Sequence, residues 1–209
     1  MSWLSLLQEH RAIAIIRAPK KSLGEQMALA VASGGMRLIE ITWNSDGAAE
    51  LINQLRCQLP KCVIGTGTLF NLDELQTAIA CGAEFLFTPH TDPEMIQAAV
   101  VRDIPIIPGA LTPTEIMLAW RKGASSVKVF PVGALGGATY IKSLHSGPMA
   151  EIPLIPTGGV TLANAQEFLQ AGAVAVGLSS ELFPQNWLST GNWSAIAHNA
   201  QNLTGKLNY

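Results

Sequence analysis

Ala12-Ile13-Ala14-Ile15-Ile16-Arg17 is a short apolar run closed by a charge, and Leu23–Ala32 after it carries apolar residues at helical spacing. The same beat returns along the whole chain. Strand-like runs rich in β-branched residues follow at Arg37–Thr42, Cys62–Thr66, Glu84–Thr88, Ile104–Pro108, Ser126–Phe130, Pro153–Thr157 and Ala173–Gly177. Helical segments between them include Leu72–Ala80, Pro93–Val101 and Leu162–Leu169. Gly34-Gly35, Gly82, Gly123 and Gly172 each fall between a helix and the next strand, as left-handed C-terminal caps do. Eight strands joined by helices lie parallel and can close into a barrel. The expected fold is therefore α/β, a (β/α)8 TIM barrel forming a single domain over residues 1–209. The competing architecture, an open doubly wound sheet, wants a Gly-rich loop after an early strand, and Gly65-Thr66-Gly67 lacks its third glycine. Trp3, Leu4, Leu6 and Leu7 predict a short N-terminal helix plugging the lower end of the barrel. Trp193, Ile196 and Leu203 predict a closing amphipathic helix.

The composition removes several classes of function. Hydrophobic residues make up 48% of the 209-residue chain and charged residues 13%, about half the usual charged share, which excludes global disorder. A net charge of −2 without a Lys/Arg cluster argues against nucleic acid as a partner. Three cysteines, an odd count without C-x-x-C spacing, encode neither a disulfide framework nor a zinc knuckle. No stretch reads as a secretory signal or a membrane span, so a cytoplasmic protein is expected.

Against so little charge, the charges inside strands stand out. Side chains alternate between the faces of a strand, so parity places each one. In Arg37–Thr42, Ile39 and Ile41 suit the helix layer, leaving Leu38, Glu40 and Thr42 inside the barrel. In Ser126–Phe130, Val127 and Val129 take the outer face and Lys128 points inward with Ser126 and Phe130. Arg17 closes the first strand at its C-terminal end, where barrels of this class build their sites. Burying an unpaired ion costs several kcal/mol, roughly, so these residues must either pair as a structural cluster or perform a task. A lysine amine is a nucleophile only when neutral, which needs its pKa lowered by about 3 units, roughly 4 kcal/mol, at neutral pH. Burial and Arg17 push that way and Glu40 opposes them, so the sign of the balance is open at this level. A neutral lysine beside a carboxylate suits Schiff-base chemistry with proton shuttling.

Two loops suit a phosphate group. Thr157-Gly158-Gly159-Val160-Thr161 follows the seventh strand and Gly177-Leu178-Ser179-Ser180 the eighth, the positions at which many barrels hold phosphate through backbone N–H groups. Neither loop carries Lys or Arg, and Gly136-Gly137 after the sixth strand is placed to assist. Thr42, Thr68 and Thr88-Pro89 at upper strand ends are candidates to orient a small keto acid, and His90 to line the mouth. The four histidines have no i, i+4 pair, which argues against a metal-dependent enzyme, so no metal ligand is assigned.

Glu40-Ile41-Thr42, Gly65-Thr66-Gly67-Thr68, Ile107-Pro108-Gly109, Lys128-Val129-Phe130-Pro131 and Pro156-Thr157-Gly158-Gly159, in that order, resemble the KDPG/KHG aldolase family of class I pyruvate-dependent aldolases. The resemblance spans nearly the whole chain. It implies that Lys128 forms a Schiff base with pyruvate, without an external cofactor, and that Glu40 is the acid/base. It also implies that Arg17, Thr68, Pro89, Phe130 and Thr157 line the keto-acid pocket. Gly158, Gly159 and Ser179 or Ser180 would lie near the phosphate. The implied assembly is a metal-free homotrimer, and the implied substrates are 2-keto-3-deoxy-6-phosphogluconate and 4-hydroxy-2-oxoglutarate, which places the chain in carbohydrate metabolism.

One position departs from the pattern. Many members carry arginine four residues after the glutamate, where this chain has Asn44, within Trp43-Asn44-Ser45. That pair looks more like the phosphogalactonate branch of the family, with Arg17 left to bind the carboxylate, and Arg and Asn are not equivalent carboxylate ligands. The alternatives are thus a 2-keto-3-deoxy-6-phosphogalactonate aldolase, a phosphate-binding barrel like thiamine-phosphate synthase, which would want Mg2+, or a non-catalytic sugar-phosphate-binding barrel.

Overall fold

The structure, a computed structural model, describes residues 2–207; positions 1, 208 and 209 of the expected domain lie outside the described residues. Among the described residues nine short strands run β1 (Ala12–Ile16), β2 (Leu38–Thr42), β3 (Val63–Gly67), β4 (Leu86–Phe87), β5 (Ile106–Ile107), β6 (Gly109–Ala110), β7 (Val127–Val129), β8 (Leu154–Pro156) and β9 (Val176–Leu178). All pairings are parallel, in a six-stranded sheet ordered β5-β4-β3-β2-β1-β9 and a three-stranded sheet ordered β6-β7-β8.

The two sheets are one barrel. The expected run Ile104–Pro108 holds only β5; Pro108, which has no N–H for a ladder, ends it, and β6 follows beyond the run, so β5 pairs with β4 and β6 with β7. A bridge between Thr157 and Gly177 and a bond from Val174 N–H to the Leu154 carbonyl (3.0 Å) join the last two staves. The fourth stave shrinks to two residues and the eighth starts later than Ala173.

Parity sorts the core as expected. Ile39, Ile41, Val127 and Val129 belong to the cluster between sheet and helices, whereas Ile13, Ile15, Leu38, Phe85, Phe87, Ile107 and Ile155 fill the barrel interior. Of the helices that cover the sheet, α1 (Trp3–His10) sends Trp3 and Leu7 into the interior from below, while Leu4 is left partly exposed. The last, α10 (Trp193–Leu207), packs Ile196, Ala200 and Leu203 against α2 (Lys21–Ser33). Gly35, Gly82, Gly123 and Gly172 are left-handed as expected, but Gly34 is not, with φ −78°. Its place is steric: a Cβ there would run into the Ala197 carbonyl and the Ala200 side chain of α10.

Candidate active site

The register Ile15↔Glu40↔Gly65 across β1–β3, with Gly109↔Lys128↔Ile155 across β6–β8, sets Glu40 and Lys128 facing the barrel axis from opposite parts of the wall. Above them is a cavity of about 440 Å3 at the C-terminal ends of the strands. Lys128 and Glu40, with Arg17, Asn44, Thr68, Pro89, Phe130 and Thr157, and with Gly158, Gly159, Ser179 and Ser180, all line it.

Glu40 is 0% exposed and Lys128 6%. Neither Glu40 nor Lys128 makes an ion pair within 4.0 Å among the described residues, which removes the reading of the inward charges as a structural salt-bridge cluster. Both carboxylate oxygens of Glu40, together with the Thr157 hydroxyl, are the buried side-chain oxygens without a hydrogen-bond partner among the described residues, and all of them face this cavity. Leaving such groups unpaired is costly, so they mark a place built to receive polar atoms.

Lys128 Nζ lies 4.9 Å from the Phe130 ring centre and 5.4 Å from that of Phe87, a largely apolar setting. Burial holds its pKa below the ordinary lysine range; the Glu40 carboxylate opposes this and Arg17 adds to it. Burial pushes the Glu40 carboxyl above the ordinary carboxylate range, against the fields of Lys128 and then Arg17. For each group burial dominates, favouring the neutral forms of both. Arg17 itself sits just past the end of β1 and is exposed at the rim, so it is a mouth residue rather than a third buried charge.

The glycines of Gly65-Thr66-Gly67 act by clearance. A Cβ on Gly65 would come within 2.5 Å of the Phe85 ring, and one on Gly67 would overlap the Glu40 carboxylate and sit 3.0 Å from Phe87 Cβ. Gly67→Ala is therefore expected to displace the carboxylate, lowering kcat on the order of 10²-fold and stability by about 1–3 kcal/mol. Steady-state assays and urea midpoints check this against Gly205→Ala, whose Cβ meets nothing within 4 Å and which should be neutral or slightly stabilising.

Other residues play unforeseen parts. Ser45, buried, accepts a bond from Ala18 N–H (3.0 Å) and shares a proton with the Thr42 hydroxyl (3.1 Å), tying the loop after Arg17 to the loop bearing Asn44. Phe70 stands 59% exposed on the cavity wall, stacked on His90, which does not line the cavity. Thr88 is taken up by a bond to the His90 carbonyl (2.6 Å) and does not line it either. Thr68 holds a positive φ of 63°, unusual for a β-branched residue and of the kind found at functional sites.

At the opposite rim, Gly158 (φ 75°) and Gly159 (φ 112°) turn the chain beneath Phe130 and against Gly133, whose N–H donates to the Gly158 carbonyl (2.9 Å). The N–H groups of Gly159, Val160 and Ser180 donate to no acceptor among the described residues, leaving them available to an anion. Gly136 and Gly137, expected to assist, instead end a 3-10 turn and start α7 (Ala138–His145), away from the cavity. Among the described residues no group of three or more His, Cys, Asp or Glu could hold a metal, and no helix is long and apolar enough to cross a membrane.

Residues 4–199 match the family described as KDPG and KHG aldolase. The KHG/KDPG aldolase of Escherichia coli (strain K12) is 30% identical over 192 residues, covering 92% of this chain and 90% of that protein. The 2-dehydro-3-deoxy-phosphogluconate aldolase of Dickeya dadantii is 34% identical over 170 residues, covering 81% and 79%. Among solved structures, the KDPG aldolase from Legionella pneumophila, with pyruvate captured at low pH as a covalent carbinolamine intermediate, superposes with a TM-score of 0.88 at 25% identity, covering 97% and 98%. With a buried lysine and carboxylate meeting in one cavity of a parallel barrel, the chain belongs to the KDPG and KHG aldolase family.

Proposed function

We propose that this protein is a class I aldolase that cleaves 2-keto-3-deoxy-6-phosphogluconate to pyruvate and glyceraldehyde 3-phosphate, and 4-hydroxy-2-oxoglutarate to pyruvate and glyoxylate. The observation that carries this reading is the pairing of a depressed Lys128 amine with a Glu40 carboxylate whose oxygens have no partner of their own. In the cleavage direction, neutral Lys128 Nζ adds to the C2 ketone and the carbinolamine loses water to give the iminium ion. Glu40 takes the proton of the C4 hydroxyl, the C3–C4 bond breaks, and the aldehyde leaves. The electron pair moves onto the imine nitrogen as an enamine. Protonation at C3 and hydrolysis then release pyruvate and restore the amine. The imine nitrogen is the electron sink, so the scheme uses no external cofactor or metal.

Arg17, Thr68, Pro89, Phe130, Thr157 and Asn44 are assigned to the keto acid, and Gly158, Gly159, Ser179 and Ser180 to the phosphate. Asn44 on the cavity wall favours one second reading, 2-keto-3-deoxy-6-phosphogalactonate as the better substrate. The proposal extends to a homotrimer, supported by an apolar groove on the outer surface lined by Pro113, Met117, Leu118 and Met149, and to the cytoplasm, where three free cysteines are at home. Pyruvate release from phosphorylated and unphosphorylated gluconate- and galactonate-type keto acids tests the substrate. Release from neither C4 epimer, with ligand binding retained, would leave a sugar-phosphate-binding barrel.

A further inference from the structure

A second cavity, of about 580 Å3, opens at the other end of the barrel, lined by Trp3, Leu6, Val63, Glu84, Asp103 and Ser125 among others. Between it and the catalytic amine stands a column of three rings. Trp3 lies 5.0 Å from Phe85 (centroids, tilted 35°), Phe85 meets Phe87 edge-on at 5.8 Å, and the Phe87 ring centre is 5.4 Å from Lys128 Nζ. Phe85 and Phe87 are essentially inaccessible and Trp3 is 8% exposed, so the tryptophan is the member that meets the lower cavity. Its Nε1–H donates to Ser126 Oγ at 3.0 Å, one inward position below Lys128 on the same stave. The glycine at 65 leaves room for the middle ring.

We propose that Trp3 is a positioning residue for Lys128: with Phe85 and Phe87 it forms an aromatic partition that keeps water of the lower cavity from reaching the amine. The inference rests on the reading of Lys128 as the imine-forming residue. Water admitted from below would solvate the ammonium and weaken the desolvation that holds the amine neutral. The charged groups facing Lys128 are Glu40 from β2 and Arg17 beyond β1, while β6 and β8 on either side present Gly109, Ala110 and Ile155. Glu84 and Asp103 lie on the far side of the partition. None of these is altered by a change at Trp3, so a shift would report hydration.

The test is the pH dependence of pyruvate fixation by cyanoborohydride, with the labelled peptide mapped. In Trp3→Ala the midpoint of the acid limb is expected to rise by about one pH unit, so that fixation near neutrality falls about tenfold while the rates well above the midpoint agree within about twofold. Trp3→Phe, which keeps a ring against Phe85 but gives up the bond to Ser126, is expected to retain the wild-type midpoint. Should circular dichroism show Trp3→Ala unfolded, Trp3→Leu carries the test with a smaller rise in the same direction. An unchanged midpoint in a folded variant, a loss equal at every pH, or a Trp3→Phe shift as large as that of Trp3→Ala would each overturn the proposal. Wild-type protein that fixes no pyruvate on Lys128 would instead overturn the aldolase reading beneath it.

Discussion

Lys128→Ala is expected to be inert in cleavage, with pyruvate release lower on the order of 10⁴-fold or more, as when the nucleophile of a covalent mechanism is removed. Reduction with borohydride in the presence of pyruvate should then leave the protein unlabelled. The reason lies in the surroundings of the amine. It is buried against Phe87 and Phe130 and held below the ordinary lysine range, which supports the proposal that it attacks the ketone, whereas Lys142 on α7 is exposed. Lys128→Arg separates nucleophile from charge: guanidinium keeps the cation facing Glu40 but stays protonated at any working pH, so it should be as inactive as alanine. Recovery of activity in the arginine variant, or a pyruvate label on Lys142 of the wild type, would refute the assignment.

Glu40→Gln should lower kcat by about 10²- to 10⁴-fold and yet leave fixation of pyruvate measurable, because the amine remains. The two readouts are expected to part in pH as well. The Glu40 charge raises the Lys128 pKa, so removing it lets that pKa fall further and moves the acid limb of fixation to lower pH, opposite in direction to the change expected at Trp3. In the wild type, the ionised form of the proposed base is expected to be lost as pH falls through the raised Glu40 pKa, and this contribution to the acid limb of cleavage should disappear with glutamine. A Glu40→Gln enzyme with wild-type cleavage would remove the carboxylate from the mechanism.

Much of this site was legible because strand parity is a local property. Ile39 and Ile41 against Glu40, and Val127 and Val129 against Lys128, are separated by a period of two whatever the neighbours do, and the barrel interior received the residues that parity assigned to it. Anything that depends on register between staves is not local and was not legible in this way. Gly65-Thr66-Gly67 reads in sequence as an incomplete nucleotide loop. Its meaning as room for Phe85 and Glu40 exists only once β3 lies beside β2 and β4. The hydrogen bonds of Ser45 to Ala18 and Thr42 likewise join two loops distant in sequence. The shortness of β4 reflects pairing geometry rather than composition, whereas the break after Ile107 follows from the missing N–H of Pro108, a residue the sequence already shows. Arg17 had the right inward parity, but the strand stops one residue before it, and its side chain reaches the solvent at the rim.

The rim around Gly158, Gly159 and Ser180 offers main-chain amides and no basic side chain. With the phosphate held there by peptide groups, as proposed, exchanging one amino acid at that rim is not expected to admit another aldehyde partner; insertions or deletions that reshape the turn are expected to be needed. The side proposed to bind the keto acid, lined by Arg17 and Asn44, is open to point substitution. Directed evolution of this scaffold should therefore retune donor preference in single steps and acceptor preference only through changes of loop length.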